Sequence, residues 1–313
     1  MIQKDPTTWK TKLPIKKLGS SSISNVVKLG AELGRGSFGV VYKAKYNDHG
    51  KIVDVAVKEQ NMKDVRPHTL ESLKVEIEAL YDAKSCNIPY IYDIIYDSIR
   101  EKLYFIMELL VGMNISEYVK GKAKPHKNPV QTDSRAMLIA DQLVSGLKCL
   151  HDHGIAHRDF KLANTMINPD NLDVKIIDFG LSCIGRCEPT TVGTQITMAP
   201  EVIMKTVQPN MWPATDVWSL GCSLYTLVTQ KYYSLQSKIS PHYRSLRSAT
   251  DQVDKAMIKN KIRWIYDHSG EPDLGDISAV RFPSIIKLLN VCLIVDPEKR
   301  WKAWKEYTKN VKY

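Results

Sequence analysis

Cysteine is scarce: six in 313 residues, Cys86, Cys149, Cys183, Cys187, Cys222 and Cys292. A disulfide-stapled extracellular scaffold carries a far denser set. Cys183 and Cys187 are the only close pair, with no matching Cys or His pair elsewhere to complete a zinc cage, so free thiols in a reducing compartment are expected. Long apolar runs are also missing. The best stretch, Leu103 to Met113, is interrupted by Glu108, whereas a membrane-spanning helix needs about 20 apolar residues. The opening Met1-Ile2-Gln3-Lys4-Asp5-Pro6 lacks the apolar core of a secretion signal, so an intracellular chain is expected, in cytoplasm or nucleus. Acid is in short supply: 34 Asp and Glu against 44 Lys and Arg leave a formal charge of +10. That excess suits nucleic acid, anionic lipid, phosphate or acidic protein, and does not choose among them. With 43% hydrophobic and 25% charged residues, the rest is an ordinary globular composition, neither disordered nor fibrous. Its length suits one large domain or two lobes.

Three stretches differ in character. Residues 1–28 are polar and basic, with a Ser20-Ser21-Ser22 run, and a loosely ordered arm is expected there. Residues 29–110 read as strands: Val40-Val41-Tyr42 and Ile52 to Val57 are β-branched, separated by the hairpin-type turn Asn47-Asp48-His49-Gly50. One helix interrupts them, predicted over Thr69 to Ala83, because Leu70, Leu73, Ile77 and Leu80 recur at three- and four-residue steps. Residues 111–313 are mainly helical. Asp133 to His151 is a helix opened by the cap signal Thr132-Asp133, and Val217 to Thr229, apolar almost all round, predicts a buried helix. Lys120, Lys122, Lys124 and Lys127 form a second basic patch, read as a solvated surface.

The chemistry-bearing motifs crowd into a few places. Gly34-Arg35-Gly36-Ser37-Phe38-Gly39 would let the backbone approach a phosphate chain with no Cβ in the way. By itself this is a weak signal. A glycine-bearing hairpin looks the same, and the dinucleotide fingerprint is excluded because a strand, not a helix, follows. Lys58, ending Val55-Ala56-Val57-Lys58, is either a snorkelling surface lysine or a phosphate-holding charge, which then needs a carboxylate; Glu76 is the candidate. The strongest signal is His157-Arg158-Asp159-Phe160-Lys161-Leu162-Ala163-Asn164 followed by Asp178-Phe179-Gly180. Asp159, Lys161 and Asn164 bring a base, a cation and a metal-ligating amide into one loop, and Asp178 adds a hard oxygen. Mg²⁺ prefers such a small set of oxygens plus substrate phosphates, and phosphoryl transfer is mostly positioning and charge stabilisation.

In this order, over Leu29 to Arg300, the motifs resemble the eukaryotic-type protein kinase family, in its serine/threonine-specific spelling at Lys161. The resemblance implies an α+β, bilobal fold: a small five-stranded antiparallel sheet with one helix, then a larger helical lobe, with ATP in the cleft. It implies that Gly34, Gly36, Ser37, Phe38 and Gly39 cover the phosphates and that Lys58, held by Glu76, contacts them. Asn164 and Asp178 would ligate Mg²⁺, or Mn²⁺ in its place. Asp159 would take or orient the substrate hydroxyl proton, with Lys161 on the γ-phosphate. Val41, Ala56 and Met166 would sandwich the adenine, Glu108 and Leu110 would bond it through their backbones, and Met107 would limit the pocket behind. Gly193 to Glu201, ending Ala199-Pro200-Glu201, resembles the segment that docks polypeptide substrates, and Arg300 the arginine that pairs with Glu201. Arg158 beside Asp159 implies an activating phosphate, expected on Thr190 or Thr191, with Ser182 as the other candidate.

Some positions depart from the family pattern. Asn114 stands where many members carry an acid at the ribose, and Ala163 where Glu is common. Without those acids, weak or acidic-leaning substrate selectivity is expected. Gln195 and Thr197 replace a frequent Pro and aromatic, leaving the shape of the substrate groove open. The competing readings are a pseudokinase scaffold, against which Lys58, Asp159 and Asp178 all stand, and a small-molecule kinase, against which the Ala-Pro-Glu segment stands. The expected partners are ATP and proteins bearing Ser or Thr. No nucleic acid is obligatory, no membrane span is expected, and the oligomeric state is left open.

Overall fold

β-Branched runs punctuated by turn residues make the first part of the chain a sheet. The computed structural model describes residues 5–19, 22–36, 39–63, 65, 67–82, 87–121, 129–188, 191–267, 272–275, 277 and 280–313. The chain divides into two units, Met1–Val111 with Ile177–Gly180, and Gly112–Ile176 with Leu181–Tyr313.

In the first unit the strands are β1 (Ile15–Leu18), β2 (Val27–Gly36), β3 (Gly39–Asp48), β4 (Lys51–Asn61), β5 (Ile91–Asp97) and β6 (Lys102–Glu108), with helix α1 (Pro67–Asp82) between β4 and β5. They form one sheet in the order β1-β5-β6-β4-β3-β2. The β3–β4 hairpin turns at His49-Gly50, both at positive φ, and the Asn47 side chain accepts the Gly50 N–H at 2.7 Å. Such turns match the twist of the strands they join. Leu70, Leu73, Ile77 and Leu80 of α1 are buried as their spacing requires.

The N-terminal arm departs from expectation. Instead of a loose tail beside five antiparallel strands, residues 15–18 add a sixth strand, β1, parallel to β5. Leu18, Ile23 and Val27 are buried in one cluster with Val55, Val57, Tyr104 and Ile106, so the arm covers one face of the sheet. Polar contacts fasten it further. Lys16 pairs with the buried Asp93 at 2.5 Å, and the Lys12 N–H donates to Glu78 on α1 at 3.1 Å. The lysines that made the segment look solvated do point outward; the apolar residues interleaved with them hold it down.

The second unit is mainly helical, with α2 (Ile115–Val119), α3 (Asp133–Asp152), α4 (Pro200–Met204), α5 (Trp212–Thr229), α6 (Ser234–Ser248), α7 (Gln252–Asp267), α8 (Pro283–Cys292) and α9 (Pro297–Thr308). Short strands β7 (Met113–Asn114), β9 (Thr165–Ile167) and β10 (Val174–Ile176) form one ribbon; β8 (Ile155–Ala156) and β11 (Cys183–Ile184) form another. Thr132 caps α3 by accepting the Arg135 N–H at 3.3 Å. α5 is buried almost throughout and packs against α3, α8 and α9, starting five residues earlier than its apolar run because Pro213 serves its first turn. Most of the second basic patch, residues 122–128, lies outside the described residues. No helix among the described residues is long and apolar enough to cross a membrane.

Candidate active site

In the first unit, pairing register decides which side chains share a face. Val41 lies opposite Lys58, Gly34 opposite Val41, Ala56 opposite Met107 and Phe105 opposite Lys58. Directly opposed residues project to the same side, as do residues two apart along a strand. Val41, Ala56, Lys58, Phe105 and Met107 therefore occupy one face, and the arm covers the other. Lys58 is 8% exposed; its ammonium reaches Glu76 Oε1 at 2.6 Å and lies 5.6 Å from the Phe105 ring centre. Glu76 Oε2 is buried with no hydrogen-bond partner among the described residues. A buried ion pair with an unanswered oxygen is costly as mere stabilisation.

The glycines end β2 and begin β3. At Gly39 φ is +123°, and a Cβ would lie 2.1 Å from the Glu59 carbonyl oxygen, so only glycine fits. At Gly34 and Gly36 a Cβ would meet nothing within 4 Å, which leaves their outer side open to a ligand. Ser37 and Phe38 lie outside the described residues. The Glu108 N–H donates to the Tyr90 carbonyl at 2.8 Å, and Leu110 follows beyond the end of β6. Asp178 belongs to this unit. It sits in the left-handed region, which aspartate tolerates, and accepts the Gly180 N–H at 3.4 Å.

In the second unit Asp159, 9% exposed, is held from both sides. Its Oδ2 accepts from Lys161 Nζ at 2.8 Å and Asn164 Nδ2 at 3.1 Å, and its Oδ1 accepts from Thr194 Oγ1 at 2.7 Å. Thr194 Oγ1 also accepts from Lys161 Nζ at 2.6 Å, closing a ring around the carboxylate. Gly193 allows this approach: φ is +103°, and a Cβ would lie 2.5 Å from the Arg158 carbonyl oxygen. Met166 is half-buried at the centre of β9, and Asn114 caps α2 by accepting the Glu117 N–H at 2.9 Å.

Beneath the loop sits Asp216 of α5, fully buried. It accepts the backbone N–H groups of His157 and Arg158, each at 2.8 Å, and faces His151 Nε2 at 3.0 Å. Arg158 has φ of +64°, a costly conformation for so large a residue, and this grip over-determines it. Neither Asp216, just before the apolar run Val217 to Thr229, nor Thr194, within Gly193 to Glu201, has a site role in the motif pattern. An acid inside an otherwise apolar helix was the available signal for Asp216; Thr194 had none.

Arg158 Nε donates to the Leu181 carbonyl at 2.6 Å, and its guanidinium lies 5.2 Å from the Trp212 ring; burial pulls its pKa down, and the Asp216 charge opposes this. Of its expected phosphate partners, Thr190 lies outside the described residues, while the Thr191 hydroxyl is buried with no partner among them. Arg300 Nη2 donates to Glu201 Oε1 as expected, and burial raises the Glu201 pKa while the guanidinium works against it.

The expectation of free thiols is corrected: Cys183 and Cys187 are joined by a disulfide, with Cα atoms 5.9 Å apart, and Cys149 is disulfide-bonded as well. Gly185, at φ +69° with its N–H on the Gly154 carbonyl, reverses the chain and brings the two Cβ atoms together. Cys222 and Cys292 are buried and take part in no disulfide.

Comparison with known proteins agrees with this geometry. Residues 27–310 match the model of the protein kinase domain. Similar proteins include Serine/threonine-protein kinase PLK4 of Xenopus laevis, 32% identical over 201 residues, covering 63% of this chain and 20% of that protein. MAP3K epsilon protein kinase 1 of Arabidopsis thaliana is 31% identical over 224 residues, covering 69% and 15% respectively. Probable serine/threonine-protein kinase zyg-1 of Caenorhabditis briggsae is 33% identical over 236 residues, covering 72% and 30%. The chain thus aligns with less than a third of each of these relatives. With a sheet-rich first unit, a helical second unit and a kinase-domain match over nearly its whole length, the chain belongs to the protein kinase family, in company with serine/threonine kinases.

Proposed function

We propose that the chain is an active kinase that transfers the γ-phosphoryl group of ATP to serine or threonine hydroxyls of polypeptides, with Mg²⁺. The observation that carries this is the Asp159 carboxylate, fixed by Lys161, Asn164 and Thr194. Donors on both oxygens hold it aimed, as a base for a hydroxyl proton requires. The rest of the donor set fits the nucleotide. Lys58, braced by Glu76, offers an ammonium to phosphate oxygens; Gly34 and Gly36 leave room beside the backbone; Asn164 and Asp178 supply the oxygens that would hold Mg²⁺. When bound, the ion neutralises phosphate charge. Asp159 then accepts the proton of the attacking hydroxyl, and Lys161 shifts from Asp159 toward the transferring phosphoryl group. Val41, Ala56, Met107 and Met166, with the backbone at Glu108 and Leu110, would hold the adenine, and Asn114 is neutral where the ribose would lie.

Transfer of labelled phosphate from ATP to a generic protein substrate tests this. Incorporation should vanish with chelation of divalent ions and fall at least about a thousandfold in Asp159→Asn. Undiminished labelling by Asp159→Asn, or label on tyrosine alone, would overturn it.

A further inference from the structure

The helical hairpin α6–α7 carries seven Lys and Arg between residues 234 and 267 against three Asp. Helix α6 has no acid at all. Surface cations elsewhere are often paired: Lys16, Lys17, Lys43, Lys45, Lys102 and Lys148 all meet carboxylates. On the hairpin Lys238, Arg244, Lys255, Lys259, Lys261 and Arg263 meet none among the described residues.

Three of them are ordered by the helix. Lys255, Lys259 and Arg263 recur every fourth residue of α7, forming one stripe with about 6 Å between successive positions. An extended polypeptide places alternate side chains on one side at nearly the same interval, about 6.6 Å. The stripe ends at a hollow of about 440 Å³, where Arg263 and Tyr266 face Pro200, Met204 and Thr206. Of the acids of that hollow, Glu201 pairs with Arg300 through Oε1, and Asp296 accepts the Lys299 N–H as the cap of α9. Residues 200–206 overlap the end of the segment read above as the substrate dock, and α6 packs on its short turn Gln195–Thr197.

We propose that this surface docks an acidic stretch of the polypeptide substrate, with Asp or Glu at alternate positions. The proposal rests on the kinase reading and names the substrate class of that site. Nucleic acid is the alternative that the measurements below separate.

Two measurements on the full chain separate the possibilities. The first is fluorescence anisotropy with a labelled peptide of alternating Asp and neutral residues, against a scrambled neutral peptide and a single-stranded oligonucleotide of equal charge. The second is phosphorylation kinetics with serine placed beside the same sequences. The acidic peptide should bind best and have the lowest KM. Lys255→Glu/Lys259→Glu should raise that KM about tenfold while leaving kcat and the neutral peptide untouched. Lys255→Gln/Lys259→Gln, with an unchanged circular dichroism melt, should give a smaller effect of the same sign. Binding of the acidic peptide without phosphorylation of anything would leave the dock standing and refute the kinase reading. Equal KM for acidic and neutral peptides, preference for an arginine-rich peptide, or tighter and stripe-dependent binding of the oligonucleotide would overturn the dock.

Discussion

Replacing Ile23 by Ala tests whether the N-terminal arm is part of the fold. Ile23 is 7% exposed and packs in the cluster that includes Val55, Val57 and Ile106. The substitution removes three carbons, about 2.4 kcal/mol of transfer free energy at roughly 0.8 kcal/mol each. A residual cavity adds to this, though the site lies at the rim and collapses in part, so a loss of about 2–3 kcal/mol is expected. Urea unfolding followed by circular dichroism gives the number, with the slope expected to stay constant while the midpoint drops. Val57→Ala, fully buried in the same cluster, is the comparison, and hydrogen exchange on residues 15–18 locates the loosening. If Ile23→Ala stays within about 0.5 kcal/mol of wild type while Val57→Ala does not, the arm contributes nothing and the packing argument is wrong.

Thr194→Val keeps the side-chain shape but removes the hydroxyl that joins Asp159 to Lys161; at about 1.5–3 kcal/mol for such charged hydrogen bonds, kcat should fall roughly 10- to 100-fold, and Thr194→Ser should restore most of it. Gly39→Ala pushes a Cβ onto the Glu59 carbonyl at a forbidden φ, so it should lower the melting temperature and weaken nucleotide binding together, read by thermal shift with and without nucleotide. Burial pushes the Asp97 pKa up, but the Arg100 N–H and guanidinium and the Ile99 N–H outweigh it, so the net shift is downward from 3.8. Its stabilisation is complete above that value and lost as pH falls through the lower folded value. Asp97→Asn should therefore cost about 1–3 kcal/mol near neutrality, and melts between neutrality and strong acid should show the gap from wild type closing only below pH 3.8.

Motif spacing anticipated several side-chain meetings, because phosphate chemistry demands particular side chains at fixed intervals. Lys58 and Glu76 do meet, and Asp159, Lys161 and Asn164 do share one loop. What stayed hidden depends on contacts between distant positions. Thr194 reaches Asp159 across 35 residues and Asp216 reaches His157 across 59, and no local period records either. The arm was misjudged for a related reason: Leu18, Ile23 and Val27 are too widely spaced for a periodic signal, and they became a core only once the sheet supplied the opposite wall. The Cys183–Cys187 link turned on the backbone sense at Gly185, which composition does not encode.

β4 shows why the arm matters to chemistry. Along Val55-Ala56-Val57-Lys58 the side chains alternate, Val55 and Val57 beneath the arm, Ala56 and Lys58 on the face with Val41 and Met107. With a period of two, a slip of one residue would bury the ammonium under Ile23 and expose both valines. Covering one face with apolar side chains therefore excludes every odd slip, because each would bring Lys58 into the cluster. Glu76 adds a second lock, since α1 can meet Lys58 only when β4 presents it to that side. Lys58, which we propose holds phosphate, is thus positioned partly by residues packed on the opposite face of the sheet. Variants of Leu18 or Ile23 should weaken nucleotide binding in proportion to how far they loosen β1 and β5, and not through any change in the chemistry of the site.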